Sequence, residues 1–346
     1  MVEGEAGFPG MGAESLMTAL EPVLIESNDE DPVELREELH KARHIKKEAT
    51  AVIGSLLKDA RVGKSIDKEK VHETVDGIME SVFRNRDAIT SLTRLKSHDH
   101  YTFTHSVNVC ILAVALGRWL QMDKDGIRAL GTGAVLHDIG KMFLPEALLN
   151  KEGVYTDSEF RTMQRHTVLG ADFLTGAGNV EERSMNVIAQ HHERYDGSGY
   201  PFKFSGEVIH RFARIASIAD IYDAMTTDRV YRSRIVPCEV LKLLYLKRDG
   251  YFGPGLVEKF IHCIGIYPIG SLVELNTGEI CLIRSVDRNH LLQPVVVVVL
   301  DGDKRPYRVP FVVDLNEDAS RFITGAADPD RYMLHFDEFL TDEYLT

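Results

Sequence analysis

Two short clusters of imidazole and carboxylate groups are the residues of this chain best suited to chemistry. His137-Asp138 lies within Leu-His-Asp-Ile-Gly-Lys, and His191-His192-Glu193 leads into Asp196-Gly197-Ser198-Gly199-Tyr200-Pro201. His and Asp are donors for divalent metals such as iron, manganese and zinc. A metal held by them makes a nucleophile of water at neutral pH. His105, His166 and Asp220 extend the set, and successive groups lie 25 to 32 residues apart. That interval holds one helix and its return, so ligands on separate helices can converge in a bundle core.

Each residue alone has a plainer reading. A single His105 or His166 is commonly a hydrogen-bonded core or surface residue. Asp220 also reads as a helix cap, and Glu193-Arg194 as a solvated helix end. The adjacent pairs resist such readings. His137-Asp138 follows Ala134-Val135-Leu136 and precedes Ile139, and His191-His192 follows Val187-Ile188-Ala189. A charge entering an apolar helix is costly unless paired or bound to metal.

The elements that must position these groups are mostly helices. Leu35, Leu39, Ala42, Ile45, Ala49, Val52 and Leu56 recur at spacings of three and four, which predicts an amphipathic helix over 33–60 with Pro32 in its first turn. Gly63 breaks the run. Ser65 is the expected N-cap of a second helix over 66–92 carrying Val71, Val75, Ile78, Met79 and Val82. Further helices are expected over Val107 to Leu120, Ile127 to Leu136, Asp157 to Leu174, Val180 to His192 with Asn179 at its start, and Ile209 to Thr226. After Gly265 short β-branched runs at Ser271 to Leu275, Glu279 to Val286 and Pro294 to Leu300 alternate with turn residues. The expected fold class is mainly α: an all-helical bundle with an N-terminal helical segment and a small C-terminal β-meander. The expected divisions are a disordered or linker stretch over 1–28, helical segment 29–92, catalytic bundle 93–262, β subdomain 263–320 and an acidic tail over 321–346 ending in a short helix. The first helix has Leu35, Ala42, Ala49 and Leu56 one heptad apart in its stripe, which predicts a homodimer through the N-terminal helices. Docking of the same stripe on its own chain is the competing use.

Bulk properties set limits. The 346 residues suffice for about two domains. A formal net charge of -13 gives no reason to expect DNA binding. Four scattered cysteines, Cys110, Cys238, Cys263 and Cys281, form no CxxC pair, so neither a zinc knuckle nor a disulfide framework is expected. With no signal peptide and no apolar run long enough to span a bilayer, a cytoplasmic protein is the expectation.

At the two clusters the chain resembles the HD-GYP family, a branch of the HD-domain metal-dependent phosphohydrolases. The resemblance is carried by His137-Asp138-Ile139-Gly140-Lys141, by His191-His192-Glu193 with Asp196 to Pro201, and by a third block. That block runs through Ala213-Arg214-Ile215, Ala219-Asp220 and Tyr222-Asp223-Ala224-Met225-Thr226 to Arg229-Val230-Tyr231-Arg232. It implies an HD-type helical fold around a centre of two or three metals, commonly iron or manganese. It implies hydrolysis of cyclic di-GMP to pGpG, and onward to GMP in many members. His105, His137, Asp138, His166, His191, His192 and Asp220 match the family's metal ligands, Asp138 as the bridging carboxylate. Lys141 matches a lysine that meets the scissile phosphate or protonates the leaving oxygen. Arg229 and Arg232 match contacts to the second phosphate, and Tyr200 and Pro201 end the substrate loop. Two departures stand out. Members with a third metal carry Glu four residues before the first His, where this chain has Tyr101, so two metals are expected. After Pro201 the chain reads Phe202-Lys203-Phe204-Ser205, not a pattern of small residues.

The function expected is therefore that of a cyclic di-GMP phosphodiesterase using a metal-activated hydroxide. A non-catalytic cyclic dinucleotide receptor and a phosphohydrolase of another cyclic dinucleotide are the alternatives. The intact ligand set and Lys141 oppose the first alternative. The Gly-Tyr-Pro block favours a cyclic dinucleotide.

Overall fold

The computed structural model describes residues 33–94, 101–177, 180–228, 234–332 and 334. The expected disordered stretch 1–28, the helix start at Asn179, the acidic end of the tail, and Arg229 and Arg232 lie outside the described residues.

The first helix, α1 (Leu35–Arg61), forms as its apolar spacing predicts. Helix α2 (Lys68–Arg84) starts two residues later than expected, because Asp67 and not Ser65 accepts the Lys70 N–H. Asn85 then breaks the second expected helix. Its side chain accepts the Ala88 N–H at 2.9 Å and starts α3 (Arg86–Ser91). Of the stripe, Leu39, Ala42, Ala49 and Leu56 are buried in the main core of this same chain beside Ile53 and Leu57, while Leu35, Ile45 and Val52 pack against it half-buried. Glu38 fastens the pair, accepting Ser81 Oγ at 2.7 Å and both Arg84 Nε at 2.6 Å and Nη2 at 2.9 Å. The stripe that argues for self-association is thus used within one chain, and a dimer would need other surface.

The central helices follow: α4 (Tyr101–Trp119), α5 (Lys124–Leu136), short α6 (Glu146–Leu149), α7 (Asp157–Gln164), α8 (His166–Ala177), α9 (Glu182–Gln190), α10 (Arg211–Thr226), α11 (Pro237–Tyr251) and α12 (Leu256–Ile264). Helix α4 is buried on all sides from Val107 to Leu116, as a helix at the middle of a bundle must be. The expected single helix from Asp157 to Leu174 is two, divided at Arg165. The division places His166 at the start of α8. It also lets a 3₁₀ turn, Ile139–Phe143, lie against that start. The approach is close enough that a Cβ at Gly140 would lie 1.8 Å from the His166 carbonyl oxygen, so only glycine fits there.

The C-terminal part is a five-stranded antiparallel sheet: β1 (Leu272–Leu275), β2 (Ile280–Ser285), β3 (Val295–Leu300), β4 (Pro306–Asp314) and β5 (Ile323–Ala327), in the order β4-β3-β2-β1-β5. A short helix, α13 (Pro329–Tyr332), follows. The first three strands fall where the β-branched runs predict. Strands β4 and β5 carry a weaker signal. Pro306 and Pro310 interrupt the first, which an edge strand tolerates, and β5 is only Ile-Thr-Gly-Ala-Ala. The sheet consequently continues past residue 320 into the segment that composition alone reads as tail. Val273, Cys281, Ile283, Val296 and Val298 face the helical core, while Leu272, Ile280, Leu282, Val297 and Val299 form a second small core on the other face. The period-two alternation of strands produces both. Arg94 ties the sheet to the helices through the Ile269 carbonyl at 2.9 Å and Ser271 Oγ at 3.1 Å. No helix among the described residues is long and apolar enough to cross a membrane.

Candidate metal centre

Seven side chains from five places in the helical body meet at one point. His105 comes from α4, and His137 and Asp138 from the end of α5. His166 opens α8, His191 and His192 follow α9, and Asp220 sits mid-way along α10. The ligand atoms of Asp138, His166, His191 and His192 lie within 4.8 Å of one another, as do those of His105, His137 and Asp220. Asp138 stands between the two groups. Its Oδ1 is 3.4 Å from His166 Nε2 and 4.0 Å from His191 Nε2. Its Oδ2 is 3.3 Å from His137 Nε2 and 3.9 Å from His105 Nε2. Asp220 Oδ1 is 3.1 Å from His105 Nε2 and 4.0 Å from His137 Nε2.

Local folding aims the rings. Nδ1 of His137 bonds the Ala134 carbonyl at 2.7 Å, and Nδ1 of His166 bonds the Met163 carbonyl at 2.7 Å. Nδ1 of His191 meets the Val187 and Ile188 carbonyls, each at 3.1 Å. A carbonyl can only accept, so Nδ1 carries the hydrogen and Nε2 presents a bare lone pair to the centre. His105 Nδ1 donates instead to Asp223 Oδ2 at 2.7 Å.

The donor set fits a cation. His137 Nε2 and Asp138 Oδ1 are buried without a hydrogen-bond partner among the described residues. Nε2 of His166 and Nε2 of His191 face each other at 3.4 Å. Two lone pairs so placed repel unless a positive centre lies between them. Separations of this size suit donors sharing an ion at about 2.1 Å each.

The electrostatics agree. Burial would raise the Asp138 carboxyl, but Lys141 and the imidazoles of His137 and His166 hold it well below the usual carboxylate range. Burial opposes ionisation of Asp220 too, and His105 with its neighbours keeps it ionised. Burial pushes His166 down to about 4 and lowers His191 and His192 well below the ordinary histidine value. These three imidazoles are neutral at physiological pH. Burial also depresses His105, yet the Asp220 and Asp223 carboxylates outweigh it and raise the group to about 9. In the absence of metal one imidazolium therefore offsets the buried carboxylates.

Lys141, in the turn after Asp138, places Nζ 2.5 Å from Asp138 Oδ2. Tyr200 stacks on His192, ring centroids 4.6 Å apart. Arg229 and Arg232, expected at the second phosphate, lie outside the described residues.

Two positions read from sequence as a solvated helix end are packed beside the cluster, Glu193 buried and Arg194 half-buried. Glu193 is 2% exposed, and its carboxylate accepts the Phe202 N–H at 2.6 Å and the Phe204 N–H at 3.1 Å. It thereby holds the segment that carries Tyr200. Arg194 donates to Ser217 Oγ at 2.7 Å and lies over the Tyr251 ring. Asp220 is mid-helix and so not a cap. Asp223 and Asn108 also went unread as site residues. The available signal for Asp223 was its position three residues after Asp220, on the same helix face.

Comparison with known proteins agrees with this geometry. A family profile described as the HD domain matches residues 86–256, and one described as a KOW domain associated with the HD domain matches residues 272–335, which contain the sheet. A cyclic di-GMP phosphodiesterase of Pseudomonas aeruginosa is 38% identical over 283 residues, 82% of this chain and 68% of the relative. The cyclic di-GMP phosphodiesterase response regulator RpfG of Xanthomonas campestris is 33% identical over 180 residues, 51% of this chain. The chain spans about half of that relative's length, 48%. An HD-GYP-type protein of Bdellovibrio bacteriovorus shares the fold at a TM-score of 0.54 and 19% identity, over 71% of this chain and 77% of that one. The chain belongs to the HD-domain family, with the cyclic di-GMP phosphodiesterase of Pseudomonas aeruginosa as a relative over most of its length.

Proposed function

We propose that this protein is a phosphodiesterase that hydrolyses cyclic di-GMP to pGpG, using two divalent metal ions, iron or manganese. The observation that carries the reading is Asp138, whose two oxygens face two separate donor groups. Asp138, His166, His191 and His192 would hold one ion, and His105, His137 and Asp220 the other, with Asp138 between them. Bound ions of this kind supply Lewis acidity at a phosphoryl oxygen and acidify water.

The chain's own residues supply the rest. In the reaction a bond forms from water oxygen to phosphorus, and the bond from phosphorus to the ribose oxygen breaks. The departing ribose oxygen needs a proton, and Lys141 Nζ, beside Asp138, is placed to give one. Tyr200, held over His192, forms a wall of the substrate site. Arg229 and Arg232 bind the second, non-reacting phosphate as planar forks. The helical body over 93–262 carries catalysis, the helices of 29–92 pack on it, and the sheet after 263 braces it. The four cysteines are buried and none is joined in a disulfide, which suits a reduced cytoplasmic setting. A homodimer would have to form on surface outside the α1 stripe.

The test is to load anaerobically purified protein with Fe²⁺ or Mn²⁺, add cyclic di-GMP and resolve the products. The expected product is pGpG, and the same assay reads whether GMP follows. Intact cyclic di-GMP recovered from protein holding two ions per chain would reduce the reading to that of a receptor. Faster turnover of another cyclic dinucleotide would move the substrate assignment.

A further inference from the structure

The histidines of the cluster are not all held in the same way. His137, His166 and His191 rest Nδ1 on backbone carbonyls one turn back. Substitution of a side chain cannot remove those acceptors. His105 rests Nδ1 on a side chain, Asp223 Oδ2.

Asp223 is itself fixed. Its Oδ1 accepts Asn108 Nδ2 at 2.8 Å, and the same Asn108 nitrogen donates to the Thr93 carbonyl at 3.1 Å. All three residues are buried. Both neighbours of that nitrogen are acceptors, so turning the amide over would set oxygen against oxygen. The cost of the chosen orientation is visible: Asn108 Oδ1 is buried with no hydrogen-bond partner among the described residues. Asp220 and Asp223 lie one turn apart on α10 and reach the two nitrogens of one ring, Nε2 at 3.1 Å and Nδ1 at 2.7 Å. Thr93 belongs to the 3₁₀ turn after α3, so the chain of hydrogen bonds also ties the N-terminal helices to the cluster.

We infer that Asp223, clamped by Asn108, is a positioning residue that fixes the His105 ring and keeps its Nε2 lone pair aimed at the His105/His137/Asp220 donor group. This rests on the metal-centre reading above. An amide at position 223 can donate to His105 Nδ1. It thereby selects the tautomer with hydrogen on Nε2, which cannot ligate. Removing the clamp at Asn108 leaves the carboxylate present but free to turn, a smaller disturbance.

The experiment is Mn²⁺ binding to metal-free, full-length protein, read by competition with a chelating dye. Wild type, Asp223→Asn, Asp223→Glu and Asn108→Ala are compared, each with thermal unfolding of its metal-free form. Asp223→Asn is expected to weaken one of two Mn²⁺ sites by about 10- to 100-fold, the usual range for a lost carboxylate behind a ligating histidine. The other site and the metal-free Tm should stay close to wild type. Asp223→Glu should recover part of the loss, and Asn108→Ala should weaken the same site less. Wild-type binding at both sites in Asp223→Asn overturns the inference, as does equal weakening of both sites together with a fall in metal-free Tm. If Asp223→Asn does not fold, Asn108→Ala decides: weakening of one site supports the inference and unchanged binding overturns it. If neither folds, the pair is a core element and the inference fails. Wild-type protein that binds no Mn²⁺ removes the metal-centre reading itself.

Discussion

The donor cluster and the loop beside it are built on opposite principles. Every ligand in the cluster lies on a helix or at a helix end, and three of its imidazoles are aimed by carbonyls of the preceding turn. Residues Glu193 to Ser205 contain no regular element. The loop is fixed by Tyr195 N–H to the Tyr251 carbonyl, Asp196 N–H to the Gly250 carbonyl, Tyr200 N–H to the His192 carbonyl, and the Glu193 carboxylate beneath Phe202 and Phe204. Helical cooperativity makes the cluster's geometry redundant. The loop's geometry depends on a few bonds, two of them to one side chain. The lesson is that cluster damage should show as lost metal, and loop damage as lost substrate handling with metal retained.

The strongest way to break this contrast is Asp138→Ala. One residue faces both donor groups, so metal content should fall close to zero and hydrolysis with it, by about 10³-fold or more. Elemental analysis after gel filtration, paired with the product assay, checks this. Two ions retained per chain would show that Asp138 does not bridge. Lys141→Ala comes next. Metal should stay and kcat should drop roughly 10²-fold, as for loss of a positioned acid. An unchanged kcat at full loading would make Lys141 a partner of Asp138 and nothing more.

Glu193→Gln probes the loop. The amide keeps one acceptor oxygen, so one backbone N–H loses its partner at a cost of about 1–3 kcal/mol. Metal content should match wild type while KM for cyclic di-GMP rises. Loss of metal in this variant would erase the distinction between cluster and loop.

The smallest effect is a pH trend in the metal-free protein. His166, His191 and His192 have depressed values in the folded state. Below about pH 6.5 the unfolded chain gains protons there that the folded chain does not. Their contribution to stability is therefore lost as pH falls from about 6.5 toward 4. His105 has the opposite sign. Its value is raised to about 9, so its contribution is complete below about 6.5 and is lost as pH rises from there through about 9. Three groups against one predict a lower urea midpoint at pH 5 than at pH 6.5, and a smaller decline from pH 6.5 upward. A midpoint that does not change on acidification would contradict the burial of these rings.

The sequence by itself determined the helical body, the first three strands and the seven His and Asp side chains that the fold gathers in one place. Those features follow from local patterns: apolar residues three and four apart, β-branched runs, and ionisable pairs set in apolar helices. It could not say which residues serve the donors. Glu193 and Arg194 look like a solvated end in the sequence, because burial at that point comes from the loop folding back over them. Asp223 and Asn108 are 115 positions apart, and no local pattern reports a bond across that distance. Strand β5 pairs with β1 across some fifty residues, and its Gly-Ala-Ala composition carries little strand signal. The α1 stripe shows most plainly where sequence stops. Amphipathic spacing states that one face must be buried, but only the tertiary structure decided that α2 and the central helices of the same chain, not a second copy, cover it.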